Sequence, residues 1–147
     1  MARQGWITVL AVLALAVLIT ASAAAQTAPL SPDLRGTWKG ETEAIVMGNP
    51  GSHHPPVQAP EPQLTSVALT LTIDRQEGRR FAGTLASARS REVILGVVSR
   101  TGTLFMAEDD SYDFATLLGP DRMELCNLHV EASGRVAFCV QLVRQEP

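Results

Sequence analysis

The sequence predicts an all-β protein, an eight-stranded antiparallel up-and-down β-barrel preceded by a signal peptide. Segments such as 67–73 alternate apolar with small or polar residues, which is typical of a strand with one buried face. Short turns separate consecutive segments, and no stretch has helical periodicity long enough for a crossover, so neighbouring strands run antiparallel. Closing eight strands into a barrel removes both sheet edges, whereas a two-sheet sandwich is the alternative.

The first 25 residues have the order of a cleavable signal peptide. Arg3 precedes a mainly apolar run from Trp6 to Ile19, and small residues follow it. Cleavage after Ala23 or Ala25 would leave a β-barrel domain over 26–147. The alternative is a membrane anchor, but a run of 14 residues falls short of the roughly 20 that span a bilayer. We therefore expect a periplasmic or secreted protein with no membrane span after cleavage.

The charge balance argues against nucleic acid as a partner. Removing Arg3 leaves 11 basic against 15 acidic residues, a formal charge of −4 on the mature chain. A mildly acidic domain lacks the basic patch that phosphate binding requires.

The eight expected strands follow in order along the mature chain. They cover Arg35–Met47, Val67–Ile73, Phe81–Ala86, Glu92–Val98, Thr103–Ala107, Tyr112–Leu118, Met123–Val130 and Arg135–Arg144. Several of them, such as 93–98, are apolar on both faces. This pattern predicts that part of the outer wall is covered, either in a homo-oligomer or by loops folded over it.

One connection is much longer than the others. Residues 48–63 contain five prolines, two glycines and the pair His53-His54, a composition that resists regular structure. Such a segment is either a lid or binding loop, or a mobile and variable insertion.

The two cysteines of the mature chain are expected to form a disulfide. If residues 131–134 form the turn of a hairpin, Cys126 and Cys139 are equally far from that turn and lie directly opposite each other. An exported protein also enters an oxidising compartment, in which the two cysteines can pair. The alternative is a pair of buried free thiols.

A short motif at the start of the first strand resembles a known superfamily. Gly36-Thr37-Trp38 follows the turn-forming segment 31–34, and Arg144 lies on the last strand. Together these features resemble the calycin superfamily, which contains the lipocalins and avidins. The resemblance implies that Trp38 closes one end of the barrel and that Arg144 packs across its ring, a favourable cation–π arrangement. Avidins surround biotin with several tryptophans, whereas this mature chain has only Trp38, so biotin is not the expected ligand.

Candidate ligand contacts lie near the opposite, open end. The connections 48–63, 87–91, 108–111 and 131–134 are expected at this mouth. Asn127 and His129 would share the inward face with Met123 and Leu125, and a buried polar group without a partner is costly. The alternative is that both hydrogen-bond to the backbone of the mouth loops. Further candidates are Phe138 on the last strand and an inward aromatic wall of Tyr112 and Phe114.

No metal site, cofactor or catalytic site is expected. His53, His54, His129, Asp109 and Asp110 could all reach the mouth, but adjacent histidines in an extended segment point apart and no H-x-x-x-H motif supports them. No nucleophile with its base, carboxylate pair in a cleft or phosphate loop is recognisable, so the protein is predicted not to be an enzyme.

Two functional hypotheses remain. The first is an exported barrel that binds a small apolar or amphipathic molecule in its interior, lined by Leu69, Leu71, Phe114, Leu125 and Phe138. The second is a protein-interaction or protease-inhibitor module with a filled barrel that acts through its mouth loops. An open interior would favour the first, and a filled one the second.

Overall fold

Residues 31–146 form a closed antiparallel β-barrel in the computed structural model, which describes these residues of the chain. The predicted signal peptide therefore lies outside the described residues. The strands are β1 (Gly36–Gly48), β2 (Gln63–Thr65), β3 (Ala68–Glu77), β4 (Arg80–Ala86), β5 (Arg91–Val98), β6 (Leu104–Ala107), β7 (Tyr112–Gly119), β8 (Arg122–Val130) and β9 (Gly134–Arg144).

The sheet closes because its last strand pairs with its first. β9 lies antiparallel to β1 from the Trp38–Arg144 pair to the Gly48–Gly134 pair, which confirms the barrel and excludes the sandwich. β2 and β3 both pair with β1, one after the other along its length, so eight strand positions surround the barrel. Thr42 bridges the gap between β2 and β3. Its N–H donates to the Val67 carbonyl oxygen, and its Oγ1 accepts from the Val67 N–H, both at 2.9 Å.

Apolar side chains fill most of the interior. On β8 the inward residues Met123, Leu125, Asn127 and His129 are buried, and on β9 Val136, Phe138, Val140 and Leu142 are buried, as predicted. Leu69, Leu71, Ile94 and Leu104 from other strands complete the same core cluster. Removing this apolar surface from water is the main source of the stability of the fold.

Trp38 and Arg144 close the end of the barrel where β1 begins. The Trp38 ring is completely buried, and its Nε1 donates to the Leu34 carbonyl oxygen at 2.9 Å. The Arg144 guanidinium lies 4.2 Å from the centroid of that ring and donates to the carbonyl oxygens of Asp33 and Arg35. The Arg144 side chain therefore links the segment before β1 to the end of β9.

The disulfide between Cys126 and Cys139 is present, which confirms the predicted pairing. The two residues are direct cross-strand partners of β8 and β9. Cys139 is exposed, so the disulfide lies on the outside of the barrel.

The inward orientation predicted for Tyr112 and Phe114 is wrong. Their exposed fractions are 66% and 41%, whereas Asp113 between them is buried. The reason is a bulge between Leu117 and Gly119 in the β7–β8 hairpin. Continuing the Gly119–Arg122 register unchanged would oppose Phe114 to inward Asn127. The extra residue of the bulge shifts the register by one, so Asp113 opposes Asn127 and the aromatic residues turn outward.

A continuous apolar surface results on the outside of β5 to β8, and we call it the outer wall. It consists of Val93, Leu95, Val97, Phe105, Tyr112, Phe114, Leu128 and Val130, which are 41–75% exposed. Phe105 and Phe114 contact each other edge to face, with ring centroids 5.8 Å apart. Because these side chains are exposed in the part of the chain that the structure describes, the expectation that loops cover them is wrong.

Within residues 31–146 there is no helix with the length and apolar character needed to cross a membrane.

Candidate functional site

The long connection folds into the barrel mouth and carries two histidines inside. His53 and His54 are 7% and 1% exposed. His53 Nδ1 lies 3.1 Å from Ser87 Oγ in the β4–β5 turn. His54 Nδ1 lies 3.3 Å from Thr65 Oγ1, and its ring packs 5.2 Å from that of Phe138. The segment is therefore a structural plug of the mouth.

The four connections predicted at the mouth do meet there. Besides the His53–Ser87 contact, Asn49 N donates to the Ser133 carbonyl oxygen at 2.9 Å. Gly51 packs against the His129 ring so closely that an added Cβ would lie 3.0 Å from His129 Cε1. Since Gly51 also has a φ of +83°, a side chain at this position would be strained in two ways.

Acidic side chains surround His53, and we call His53, Glu92, Glu108 and Asp113 the mouth cluster. Ligand atoms of His53, Glu92 and Glu108 all lie within 4.8 Å of one another. His53 Nε2 and Glu92 Oε2 are 3.8 Å apart, and both side chains are more than nine-tenths buried. Asp113 is 1% exposed and lies beside them at the start of β7.

Each carboxylate of the cluster has one oxygen held by a neighbour. Ser90 Oγ donates to Glu92 Oε1 at 3.3 Å, and Ser111 Oγ donates to Glu108 Oε2 at 2.8 Å. Asn127 Nδ2 donates to Asp113 Oδ1 at 2.9 Å. Glu92 Oε2 and His53 Nε2 are buried without a hydrogen-bond partner among the described residues. Glu108 and Asp113, in contrast, hydrogen-bond to each other through their carboxyl groups.

Burial controls the protonation of this cluster. Burial, followed by the charge of Asp113, raises the pKa of Glu108 to about 9. Burial also raises the pKa of Asp113 and lowers the pKa of His53, because the charged form of each group is poorly solvated. His54 has its pKa lowered to about 4, first by burial and then by the charge of His53. Both histidines are therefore neutral at pH 7.

His129 lies in a second, separate group at the rim. Its Nδ1 is 3.0 Å from the Asp110 carbonyl oxygen, and its Nε2 is 3.6 Å from Glu131 Oε1. Asn127 uses its amide nitrogen to donate to Ser111 Oγ at 3.0 Å as well as to Asp113. His129 thus makes the contact with mouth-loop backbone that was the alternative considered for both residues, whereas Asn127 bonds to side chains. The role of both residues as ligand contacts remains a prediction.

The space left under the plug is small. The cavity between the connection and the barrel has a volume of about 20 Å³ and is lined by His53, His54, Glu108, Asn127, His129 and Phe138, among others. This volume accommodates about one water molecule. An apolar molecule of the predicted kind has no room there while the plug is in place.

The predicted site residues thus divide among three places. Asn127, His129 and Phe138 line the mouth, Tyr112 and Phe114 lie on the outer wall, and Trp38 and Arg144 lie at the closed end. Sequence reasoning missed Glu92, Glu108 and Asp113. Glu92 could have been recognised from the sequence, because it alternates with Ile94 and Val98 on the inward face of β5, where residues 93–98 carry no polar side chain. A carboxylate on an inward face indicates a polar site.

The fold and the site together define a small up-and-down β-barrel protein with a plugged mouth and a buried polar cluster. No protein-family model matches the chain, and no curated protein matches it. A solved structure similar to it is the S-type phycobiliprotein lyase of Guillardia theta, with 15% identity, a TM-score of 0.35 and coverage of 78% of this chain and 89% of the lyase chain. A likeness of this degree carries no inference about activity or ligand. Membership of the calycin superfamily therefore remains a prediction.

Proposed function

We propose that this protein is an exported interaction module that acts through its outer wall, and that its partner is a second copy of the same chain. The observation that carries the proposal is the continuous exposed apolar surface on β5 to β8. In this proposal the binding surface is the outer wall and not the mouth loops, because the longest of those loops is folded into the barrel.

The filled interior favours this function over transport of a small apolar molecule. The residues predicted to line a ligand cavity, including Leu69, Leu71 and Leu125, pack against one another with at most 1% exposure. The mouth above them is closed by His53 and His54. A ligand of drug-like size needs about 300 Å³ or more, which far exceeds the space under the plug.

The arrangement of the outer wall supports its role as an interface. One row of residues crosses four strands through the paired positions Leu95, Ala107, Tyr112 and Leu128. A second row crosses Val97, Phe105 and Phe114 and ends at the disulfide. Neither row contains a charged residue. Exposed aromatic and aliphatic side chains on this scale are uncommon on monomers and mark sites of association.

The size and charge of the outer wall favour a second copy as the occupant. If aromatic side chains contribute about 150–250 Å² each and Val and Leu somewhat less, the eight side chains expose on the order of 800 Å². A standard interface buries about 800 Å² per partner. The mature chain carries a formal charge of −4, so two copies associate more readily through an uncharged face than through their acidic surfaces. The outer wall provides such a face.

Export is part of the proposal. The Cys126–Cys139 disulfide supports an oxidising compartment, because thiols of most cytosolic proteins are kept reduced. The apolar run after Arg3 supports the same destination. A non-catalytic role completes the proposal, since binding through an outer face requires no reactive group.

Sedimentation velocity of the mature protein across micromolar concentrations tests the proposal. We expect a monomer–dimer equilibrium in the wild type. Leu95→Glu places a charge in the centre of the outer wall and should weaken dimerisation at least about 30-fold, the effect of losing a binding hot spot. Val143→Glu is the matched control, because Val143 is 42% exposed on β9 and pairs with Lys39 and Arg122, away from the outer wall. A wild type that remains monomeric, or a dimer that Val143→Glu weakens as much as Leu95→Glu does, would contradict the proposal.

A further inference from the structure

We propose that His53, Glu92 and Glu108 form a binding site for one first-row divalent cation such as Zn²⁺ at the barrel mouth. The site is independent of the outer wall, which lies on the outside of the barrel. It uses one residue from each of three chain segments: the plug, the start of β5 and the β6–β7 turn.

The distances within the site suit such an ion. Zinc is bound by histidine nitrogen and carboxylate oxygen at about 2.0–2.2 Å, so neighbouring ligand atoms of a tetrahedral site lie about 3.3 Å apart. His53 Nε2 and Glu92 Oε2 are 3.8 Å apart, and the three ligand atoms lie within 4.8 Å of one another. The proposal requires rotations of the two glutamate side chains to close the remaining difference.

The neighbours of the three ligands act as an outer shell. Ser87 Oγ contacts His53 Nδ1, which leaves Nε2 as the nitrogen that faces the carboxylates. Ser90 and Ser111 each donate to one oxygen of a glutamate, which leaves the other oxygen of each glutamate available to the cation. A metal-binding histidine usually has its other nitrogen hydrogen-bonded, and metal-binding carboxylates are hydrogen-bonded in turn. The same pattern occurs here for all three residues.

The burial of the site also favours a cation. His53 Nε2 and Glu92 Oε2 lie in the protein interior without a hydrogen-bond partner among residues 31–146, and each unsatisfied buried polar atom is destabilising. A bound cation would displace the proton that Glu108 holds at pH 7, and the two carboxylates would then carry two negative charges, which one divalent cation neutralises. Asp113 adds a further acidic group beside the site.

The ligand set selects among the cations. Imidazole nitrogen with carboxylate oxygen suits zinc and neighbouring first-row metals, whereas calcium takes six to eight oxygen ligands and magnesium keeps several waters. The adjoining cavity, lined in part by His53 and Glu108, has a volume of about 20 Å³. It accommodates one water as a fourth ligand and not the several that magnesium requires.

Isothermal titration calorimetry of Zn²⁺ into chelator-treated mature protein tests the site. We expect one equivalent to bind, with Mg²⁺ and Ca²⁺ giving no saturable signal. Glu92→Gln keeps the shape of a ligand and removes its charge, so it should abolish binding. Ser87→Ala should weaken binding about 10–100-fold, the usual effect of losing an outer-shell partner. Glu131→Gln is the matched control, because it alters the neighbouring His129 group without touching the proposed ligands.

X-ray absorption spectroscopy of the zinc complex gives a second reading that does not depend on the variants. It should report imidazole together with oxygen ligands and no sulfur. The proposal is overturned if Zn²⁺ does not bind saturably, if Glu92→Gln and Ser87→Ala both bind as the wild type does, or if only Glu131→Gln loses binding. If Glu92→Gln fails to fold by circular dichroism, Ser87→Ala and the absorption spectrum decide. None of these results bears on the dimer, so the two proposals fail separately.

Discussion

Replacing Arg144 with alanine should destabilise the barrel more than any other substitution of an exposed or half-exposed cation. The Arg144 guanidinium packs over the Trp38 ring and donates to backbone carbonyl oxygens of Asp33 and Arg35, with a longer contact of 3.3 Å to the Pro120 carbonyl oxygen. It therefore holds three chain segments at the closed end. Alanine would remove all of these contacts and expose the Trp38 ring to water.

The expected magnitude follows from the contacts. A hydrogen bond with a charged partner contributes about 1.5–3 kcal/mol, and a cation–π contact about 0.5–2 kcal/mol. The Arg144 side chain is 24% exposed, so water takes over part of the lost hydrogen bonding. We therefore expect Arg144→Ala to lower the free energy of unfolding by about 3 kcal/mol. Arg144→Lys should recover only part of this loss, because the ammonium group carries its donors on a single nitrogen and lacks the planar fork with which the guanidinium reaches both carbonyls over the ring.

Urea unfolding followed by tryptophan fluorescence measures this loss directly, since Trp38 is the one tryptophan of residues 26–147. The matched control is Arg135→Ala on the same strand, whose side chain is exposed and contacts Met47 Sδ at 3.4 Å. A surface substitution of this kind changes stability by less than about 0.5 kcal/mol. The reasoning is refuted if Arg144→Ala and Arg135→Ala unfold at the same urea concentration, or if Arg144→Lys matches the wild type.

Three further predictions concern stability. Replacing Cys126 and Cys139 together by alanine should cost about 3 kcal/mol in urea unfolding, because the disulfide closes a short loop of the unfolded chain, and a loss below 1 kcal/mol would contradict this. Gly96→Ala should cost about 1–3 kcal/mol, since the added Cβ would lie 2.1 Å from the Phe81 ring, and Phe81→Leu in the same chain should offset part of that cost in thermal unfolding. The pKa of His54 is about 4 in the folded state against 6.5 in the unfolded state, so His54 of the unfolded chain is protonated first as the pH falls. The contribution of neutral His54 to the free energy of unfolding is therefore complete above pH 6.5, and it falls by up to about 1.4 kcal/mol per pH unit as the pH is lowered toward 4. His54→Gln should therefore destabilise less at pH 5 than at pH 7, and an equal effect at both would contradict the assignment.

Local patterns were sufficient to predict the barrel. Alternation along 67–73 defines a strand with one buried face whatever surrounds it, and short turns force neighbours to be antiparallel. The Cys126–Cys139 pairing followed from counting along one hairpin that contains no bulge. These features depend on residues that are close in sequence, so they can be predicted from the sequence alone.

The orientation of β7 could not be predicted because a single bulged position decides it. The bulge between Leu117 and Gly119 moves Tyr112 and Phe114 from the interior to the outer wall and brings Asp113 inside. No residue of the β7–β8 turn indicates that the strand contains this extra residue. An inward pair Phe114–Asn127 and an inward pair Asp113–Asn127 are equally compatible with the alternation of β7.

The mouth cluster could not be predicted because its members are distant in sequence and depend on the plug. The path of the proline-rich connection determines where His53 lies, and that path follows from contacts with Ser87, Thr65 and Phe138. Glu108 occupies a turn, where an acidic residue usually faces solvent. Only the folded barrel brings it beside Glu92.

A dilution series followed by methyl NMR tests the central claim most directly. Protein labelled at the Val, Leu and Ile methyl groups should show concentration-dependent shifts for Leu95, Val97 and Leu128 of the outer wall, while Val143 and the interior Leu71 remain unchanged. This result would place the self-association interface on β5 to β8. Shifts confined to the mouth loops, or spectra that do not change with concentration while the protein remains folded, would contradict the account.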